Sequence, residues 1–130
     1  MKKTPVWIID DDVIFKIIAQ KIIQKSEYLE TLSTFSNGQE ALDALESAVT
    51  KNEDLPDIIL LDIEMPIMDG WEFINHINPF TPILKEKQIK IFILSSSIAI
   101  EDKLKAQSNS NVSGYITKPI TLSDLEIIIS

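Results

Sequence analysis

Asp62 closes a run of four apolar residues, 58–61 (IILL), and Asp10 and Asp11 close another, 6–9 (VWII). Ser95 follows a third strand-like stretch, residues 89–94 (IKIFIL), and Lys118 follows a fourth short one, residues 114–117 (GYIT). Three carboxylates set against one ammonium repel one another, and the balance invites a divalent cation. An all-oxygen donor set suits a hard ion such as Mg²⁺, which accepts few protein ligands and keeps waters or phosphate oxygens. A metal, a lysine and a hydroxyl around a carboxylate would stabilise charge on a transferring phosphoryl group. The carboxylate can itself be the nucleophile, giving an aspartyl-phosphate. Each residue also has a plainer reading: Asp10 to Asp12 as a helix cap, the serines as a turn, Lys118 as a solvated charge.

The elements that carry these residues decide whether they meet. Residues 58–61 are too few for a helix and show no polar alternation, which reads as a central strand covered on both faces. After the strand at 6–9, Ile14, Phe15, Ile18, Ala19, Ile22 and Ile23 share one helical face, with Lys16, Gln20, Lys21 and Gln24 opposite and Asp12 as cap. Residues 31–35 form a weaker strand. Ser36-Asn37-Gly38-Gln39 has capping-box spacing and opens a helix with Ala41, Leu42 and Leu45 inward.

Beyond the Asp62 strand, Asp69 and Glu72 cap a short helix that buries Phe73, Ile74 and Ile77. Residues 78–88, with Pro79 and Pro82, read as a long irregular connection. A strand at 89–94, a poorly marked helix near Glu101 and Asp102, a strand at 114–117 and a last helix from Thr121 complete the chain. Strand–helix repeated five times predicts an α/β domain: a parallel sheet, five helices on its two faces, one domain over residues 1–130. In that arrangement Asp10, Asp11, Asp62, Ser95 and Lys118 all fall at strand carboxyl ends, the edge where open α/β sheets place their chemistry. The plain readings explain each residue singly and leave that convergence unexplained.

Composition narrows the function. The 130 residues carry a net charge of −8, and all twelve basic residues are lysine. Without arginine the usual bidentate readers of phosphate and guanine are missing, and the lysines are scattered, so direct nucleic-acid binding is not expected. There is no cysteine, which excludes disulfides and thiolate metal sites. No apolar run approaches membrane-spanning length and no signal peptide is visible, so a cytoplasmic protein is expected.

With the acidic cluster after the first strand, LLDIEMPIMDGW around Asp62, a hydroxyl after the fourth strand and GYITKP near the end, the chain resembles the receiver domain of two-component response regulators, of the stand-alone chemotaxis-regulator kind. The resemblance spans nearly the whole length. It implies a doubly wound, flavodoxin-like sheet in the order 2-1-3-4-5. It implies that Asp62 accepts a phosphoryl group from a phosphohistidine on a sensor histidine kinase or phosphotransfer protein. Mg²⁺ would be held by Asp10, Asp11, Asp62 and the backbone carbonyl of Glu64. Lys118 would pair with the phosphoryl group, its bond to Pro119 cis, Ser95 would hydrogen-bond a phosphoryl oxygen, and Tyr115 would be an aromatic switch. The segment from Ser95 to Tyr115 is about one residue longer than in chemotaxis-type receivers, which leaves Ser96 as the alternative hydroxyl.

The implied protein is a phosphoacceptor switch and not an enzyme, with at most slow self-dephosphorylation. It would act as a monomer or phosphorylation-dependent dimer, signalling to a partner protein through the face of the fourth helix, fifth strand and fifth helix. The competing reading is a Mg²⁺-dependent phosphohydrolase with an aspartate nucleophile, which commonly places a second acid where Glu64 stands. A flavin carrier shares the fold class, but no phosphate-binding loop follows the first strand. Trp7 and Phe92 are expected in the core, Trp71 as a surface anchor of its helix, and His76 exposed.

Overall fold

The structure is a computed structural model that describes residues 2–96 and 100–129. Its strands are β1 (Thr4–Ile9), β2 (Leu29–Phe35), β3 (Ile58–Asp62), β4 (Lys90–Ser95) and β5 (Gly114–Thr117). All neighbours pair in parallel, in the order β2-β1-β3-β4-β5. The helices are α1 (Val13–Gln24), α2 (Gly38–Lys51), α3 (Gly70–His76), α4 (Thr81–Glu86), α5 (Ile100–Ser108) and α6 (Leu122–Ile129).

The described residues thus contain six α-helices and not the five expected. The additional one lies in the stretch read as irregular: a 3₁₀ turn at Asn78–Phe80 runs into α4. Pro79 and Pro82 argued against helix there, yet both stand in the first turn of their element. At that position the missing N–H has no intrahelical partner to lose, and the fixed φ suits a helix. Leu84 is the buried anchor of α4.

Alternation along the strands divides the core into two layers. Val6, Ile8, Ile58, Leu60, Phe92 and Leu94 face α1 and α6, meeting Phe15, Ala19, Ile23, Leu125 and Ile128. Trp7, Ile9, Ile59, Leu61, Ile91 and Ile93 face the other helices, meeting Leu45, Phe73, Ile74 and Leu84. Residues 58–62 are buried without exception, as a strand covered on both faces requires.

Two local expectations change. In α1 only Phe15, Lys16, Ala19 and Ile23 are buried, while Ile14 is 70% and Ile18 47% exposed. The apolar residues of the helix form a band wider than the buried stripe, so periodicity could not fix which edge of it turns inward; Val13 and Ile17 are exposed too. Lys16, assigned to the outer face, packs inward with Nζ donating to Ser36 Oγ at 3.0 Å. At α2 the cap is one residue later than its spacing suggested: Asn37 Oδ1 accepts from Glu40 N–H (2.9 Å), and Glu40 reaches back to Ser36 N–H (2.7 Å). The Asp69–Glu72 capping box of α3 is formed as expected.

Candidate functional site

The order β2-β1-β3 makes the carboxyl ends of β1 and β3 the switch point of the sheet, where the chain winds away in opposite directions and leaves a crevice. Asp10 follows β1, and Asp62 is the last residue of β3. The backbone fixes both. Asp10 N–H donates to the Phe35 carbonyl at 3.0 Å, and Asp62 Oδ1 accepts from the Glu64 N–H at 3.2 Å. Gly70 closes the loop behind Asp62: a Cβ there would lie 2.6 Å from the Asp62 carbonyl oxygen, so a side chain would force the loop off the strand end.

Asp10, Asp11 and Asp62 each offer a carboxylate oxygen, and the three lie within 4.8 Å of one another. Asp10 and Asp62 are buried and Asp11 is exposed, so the group opens to solvent on one side. Lys118 is brought in from β5 by its N–H, which donates to the Ser95 carbonyl at 2.8 Å. Its Nζ lies 2.6 Å from Asp10 Oδ2 and 3.6 Å from Asp62 Oδ1. The Lys118–Pro119 peptide is cis, as the resemblance implies.

Burial, and next the charge of Asp10, push the Asp62 carboxyl up from the ordinary 3.8 to about 7; Lys118 and the Glu64 N–H pull it down without prevailing. At least one raised carboxylate is what crowded aspartates should produce. Asp10 Oδ1 accepts from Asp12 N–H (2.9 Å), whereas among the described residues its buried Oδ2 has the Lys118 ammonium as its ion-pair partner and no other hydrogen bond. An all-oxygen group with two buried carboxylates, one exposed carboxylate and one open side fits a hard divalent cation.

Ser95 ends β4 one residue beyond Leu94, the partner of Asp62, and is buried; Ser96 is exposed, and Ser97 lies outside the described residues. Tyr115 is half-buried on β5, with Lys103 Nζ 6.0 Å from its ring centroid. The Glu64 side chain points to solvent, as does His76. Trp7 and Phe92 are core, and Trp71 is half-buried on α3 under Lys105 Nζ, 4.6 Å from its ring centroid. One neighbour of the site went unread in the sequence: the Phe15 ring lies 4.4 Å from Lys118 Nζ. Its place one turn after Asp11 was legible, but nothing in the sequence ties it to a lysine so far along the chain.

The response regulator receiver domain family matches residues 6–130. The chain belongs to that family. A two-component response regulator from Cytophaga hutchinsonii superposes with a TM-score of 0.89 at 30% identity, over 99% of this chain and 96% of that one. A protein-glutamate methylesterase/protein-glutamine glutaminase of Trichodesmium erythraeum is 31% identical over 97% of this chain. The sensor histidine kinase CheAY of Helicobacter pylori is 34% identical over 85% of it. This receiver spans only 33% and 13% of those two proteins. Receiver domains partner with histidine kinases and typically accept a phosphoryl group instead of acting as enzymes. An aspartate cluster such as Asp10, Asp11 and Asp62 is typical of a receiver's Mg²⁺ site. Among the described residues, no helix of this receiver is long and apolar enough to cross a membrane.

Proposed function

We propose that this receiver is a Mg²⁺-dependent phosphoacceptor switch in which Asp62 takes a phosphoryl group from the phosphohistidine of a sensor kinase or phosphotransfer protein. The observation that carries this is the meeting of Asp10, Asp11 and Asp62 within 4.8 Å, with the Lys118 ammonium between the two buried carboxylates. In the transfer an Asp62 carboxylate oxygen forms the new P–O bond, the P–N bond to the donor imidazole breaks, and the imidazole leaves with the electron pair. Only the ionised carboxylate is a nucleophile, and in the bare site Asp62 is held protonated up to about pH 7. A bound Mg²⁺ would supply the countercharge that keeps Asp62 ionised and offsets the incoming phosphoryl oxygens.

Asp10, Asp11 and Asp62 would hold that ion, with the Glu64 carbonyl as a further oxygen ligand. Lys118 would pair with a phosphoryl oxygen from the opposite side. Ser95 fits the switch hydroxyl better than Ser96 because it is held at the buried strand end beside the crevice. Output would pass through the face expected from the sequence, which corresponds to α5, β5 and α6. A surface cavity of about 530 Å³ lies there, lined by Lys103, Ala106, Gln107, Tyr115 and Thr117 among others. Donor and receiver would meet in the cytoplasm, where kinases have ATP.

The test is incubation with acetyl phosphate and Mg²⁺, followed by mass spectrometry. One phosphoryl group per chain on Asp62, absent with chelator and absent in Asp62→Asn, is the expected result. Undiminished labelling of Asp62→Asn would remove Asp62 from the role, and multiple turnover on a phosphate ester would favour a phosphohydrolase.

A further inference from the structure

Among the described residues Lys118 meets two carboxylates and a ring in the crevice, and they act differently. Asp10 and Asp62 supply charge at 2.6 and 3.6 Å, and Phe15 supplies a ring face at 4.4 Å. A lysine ammonium is a point charge on a flexible four-carbon stem, so charge alone draws it to the nearer anion, Asp10. Held there it competes with any cation for Asp10 Oδ2 and stands back from Asp62. Once a cation engages Asp10, the aspartate no longer fixes the ammonium. Among the described residues the ring face is then the contact that a cation on the carboxylates does not take away.

Resting on the phosphoacceptor reading, we infer that Phe15 is a positioning residue: its ring face keeps the Lys118 ammonium beside Asp62 when Asp10 is engaged by the metal. The ring is 8% exposed and the Lys118 side chain 18%, so the pair sits largely out of water, where attraction between a cation and a ring face is strongest. Phe15 also packs in the layer beneath α1, a task that leucine or methionine of similar volume would serve. What those residues lack is the negative ring face.

The experiment is a double-mutant cycle of Phe15→Leu with Lys118→Ala, with Phe15→Tyr as the rescue that keeps the ring, and Phe15→Met in place of Phe15→Leu should that variant not melt cooperatively. The first readout is the rate of Asp62 labelling by acetyl phosphate at saturating Mg²⁺. Phe15→Leu is expected to slow it about fivefold, or about 1 kcal/mol on the barrier. Phe15→Tyr should recover most of that, and Phe15→Leu should change nothing in the Lys118→Ala background.

The second readout needs no phosphorylation. The Lys118 Cε methylene signal in a ¹³C-resolved spectrum should be shifted upfield by the ring, in chelator and in Mg²⁺ alike, and should lose the shift in Phe15→Leu. Equal slowing with and without Lys118, or loss of the upfield shift on adding Mg²⁺, overturns the role of Phe15 while leaving Asp62 as acceptor. A native protein that takes no label on Asp62 overturns the acceptor reading, and the positioning role with it.

Discussion

Ile67 is the residue where the loop beside Asp62 departs from ordinary backbone. Its φ is +71°, and the Met68 N–H donates to the Pro66 carbonyl at 2.8 Å, so residues 66–68 make a tight γ-turn of the strained kind. A β-branched residue is poorly suited to positive φ. The side chain is 78% exposed, so no packing offsets the strain. Backbone held in a sparsely populated positive-φ region costs an L-residue about 1–3 kcal/mol, and asparagine tolerates positive φ better than a β-branched residue. Ile67→Asn is therefore expected to stabilise the protein by about 1 kcal/mol, read as a higher denaturation midpoint at unchanged slope. A lower midpoint would mean that the isoleucine side chain has a packing role that its exposure denies. The turn also sets the loop's path: Met68 O accepts the Gly38 N–H at 3.0 Å, joining the loop to the start of α2.

At the scale of elements, α1 is the one whose surface the sequence misassigned, and the exposed residues lie beside the crevice. Val13, Ile14, Ile17 and Ile18 form an exposed apolar flank that begins directly after the Asp10–Asp12 turn. Exposed apolar residues grouped on one flank are the kind of surface that partners cover, and on the phosphoacceptor reading proposed above a donor protein bringing a phosphohistidine to Asp62 would come to rest beside it. Replacing Ile14 and Ile18 together by serine should slow transfer from a phosphorylated histidine-donor protein about tenfold or more. Labelling by acetyl phosphate should stay within about twofold of native, because no site residue changes. Equal slowing with both donors would place the defect in the crevice instead.

The same helix shows what sequence could and could not give. Strand runs ending in Asp10, Asp62, Ser95 and Lys118 were legible because short apolar runs and polar ends are local signals, and parallel topology then brings the ends together. The inward stripe of α1 was not legible in full, since its apolar residues cover more of the helix than the sheet buries and the sequence does not say which edge of that band turns inward. Nor was α4, because a proline has opposite meanings in a helix interior and in its first turn. The Phe15–Lys118 contact joins the first helix to the residue that follows the last strand, and no local pattern encodes it.

For the molecule as a whole, the charges at the crevice make stability depend on pH and on metal together. Asp62 is pushed up to about 7 by burial and by Asp10, against about 3.9 in an unfolded chain. Between those values the folded state keeps a proton that the unfolded chain has released. The metal-free protein therefore loses stability as pH rises through about 4 to 7, and this contribution is flat above the folded value. The chain's acidic balance, a net charge of −8 over all its residues, adds repulsion of its own as carboxylates ionise, so the native protein alone does not isolate the effect. Its difference from Asp62→Asn does. In chelator at pH 8 the variant should be the more stable by up to about 4 kcal/mol, and by pH 4 the gap should have closed. Excess Mg²⁺ at pH 8 should reverse the order, since an ion that binds only the folded site stabilises by mass action and the variant has lost one of three carboxylates. Thermal melts at pH 4, 6 and 8, with chelator and with Mg²⁺, supply the comparison. A native-to-variant gap that stays constant from pH 4 to pH 8 would mean that Asp62 carries no strain, and that the fold positions its carboxylates without electrostatic cost.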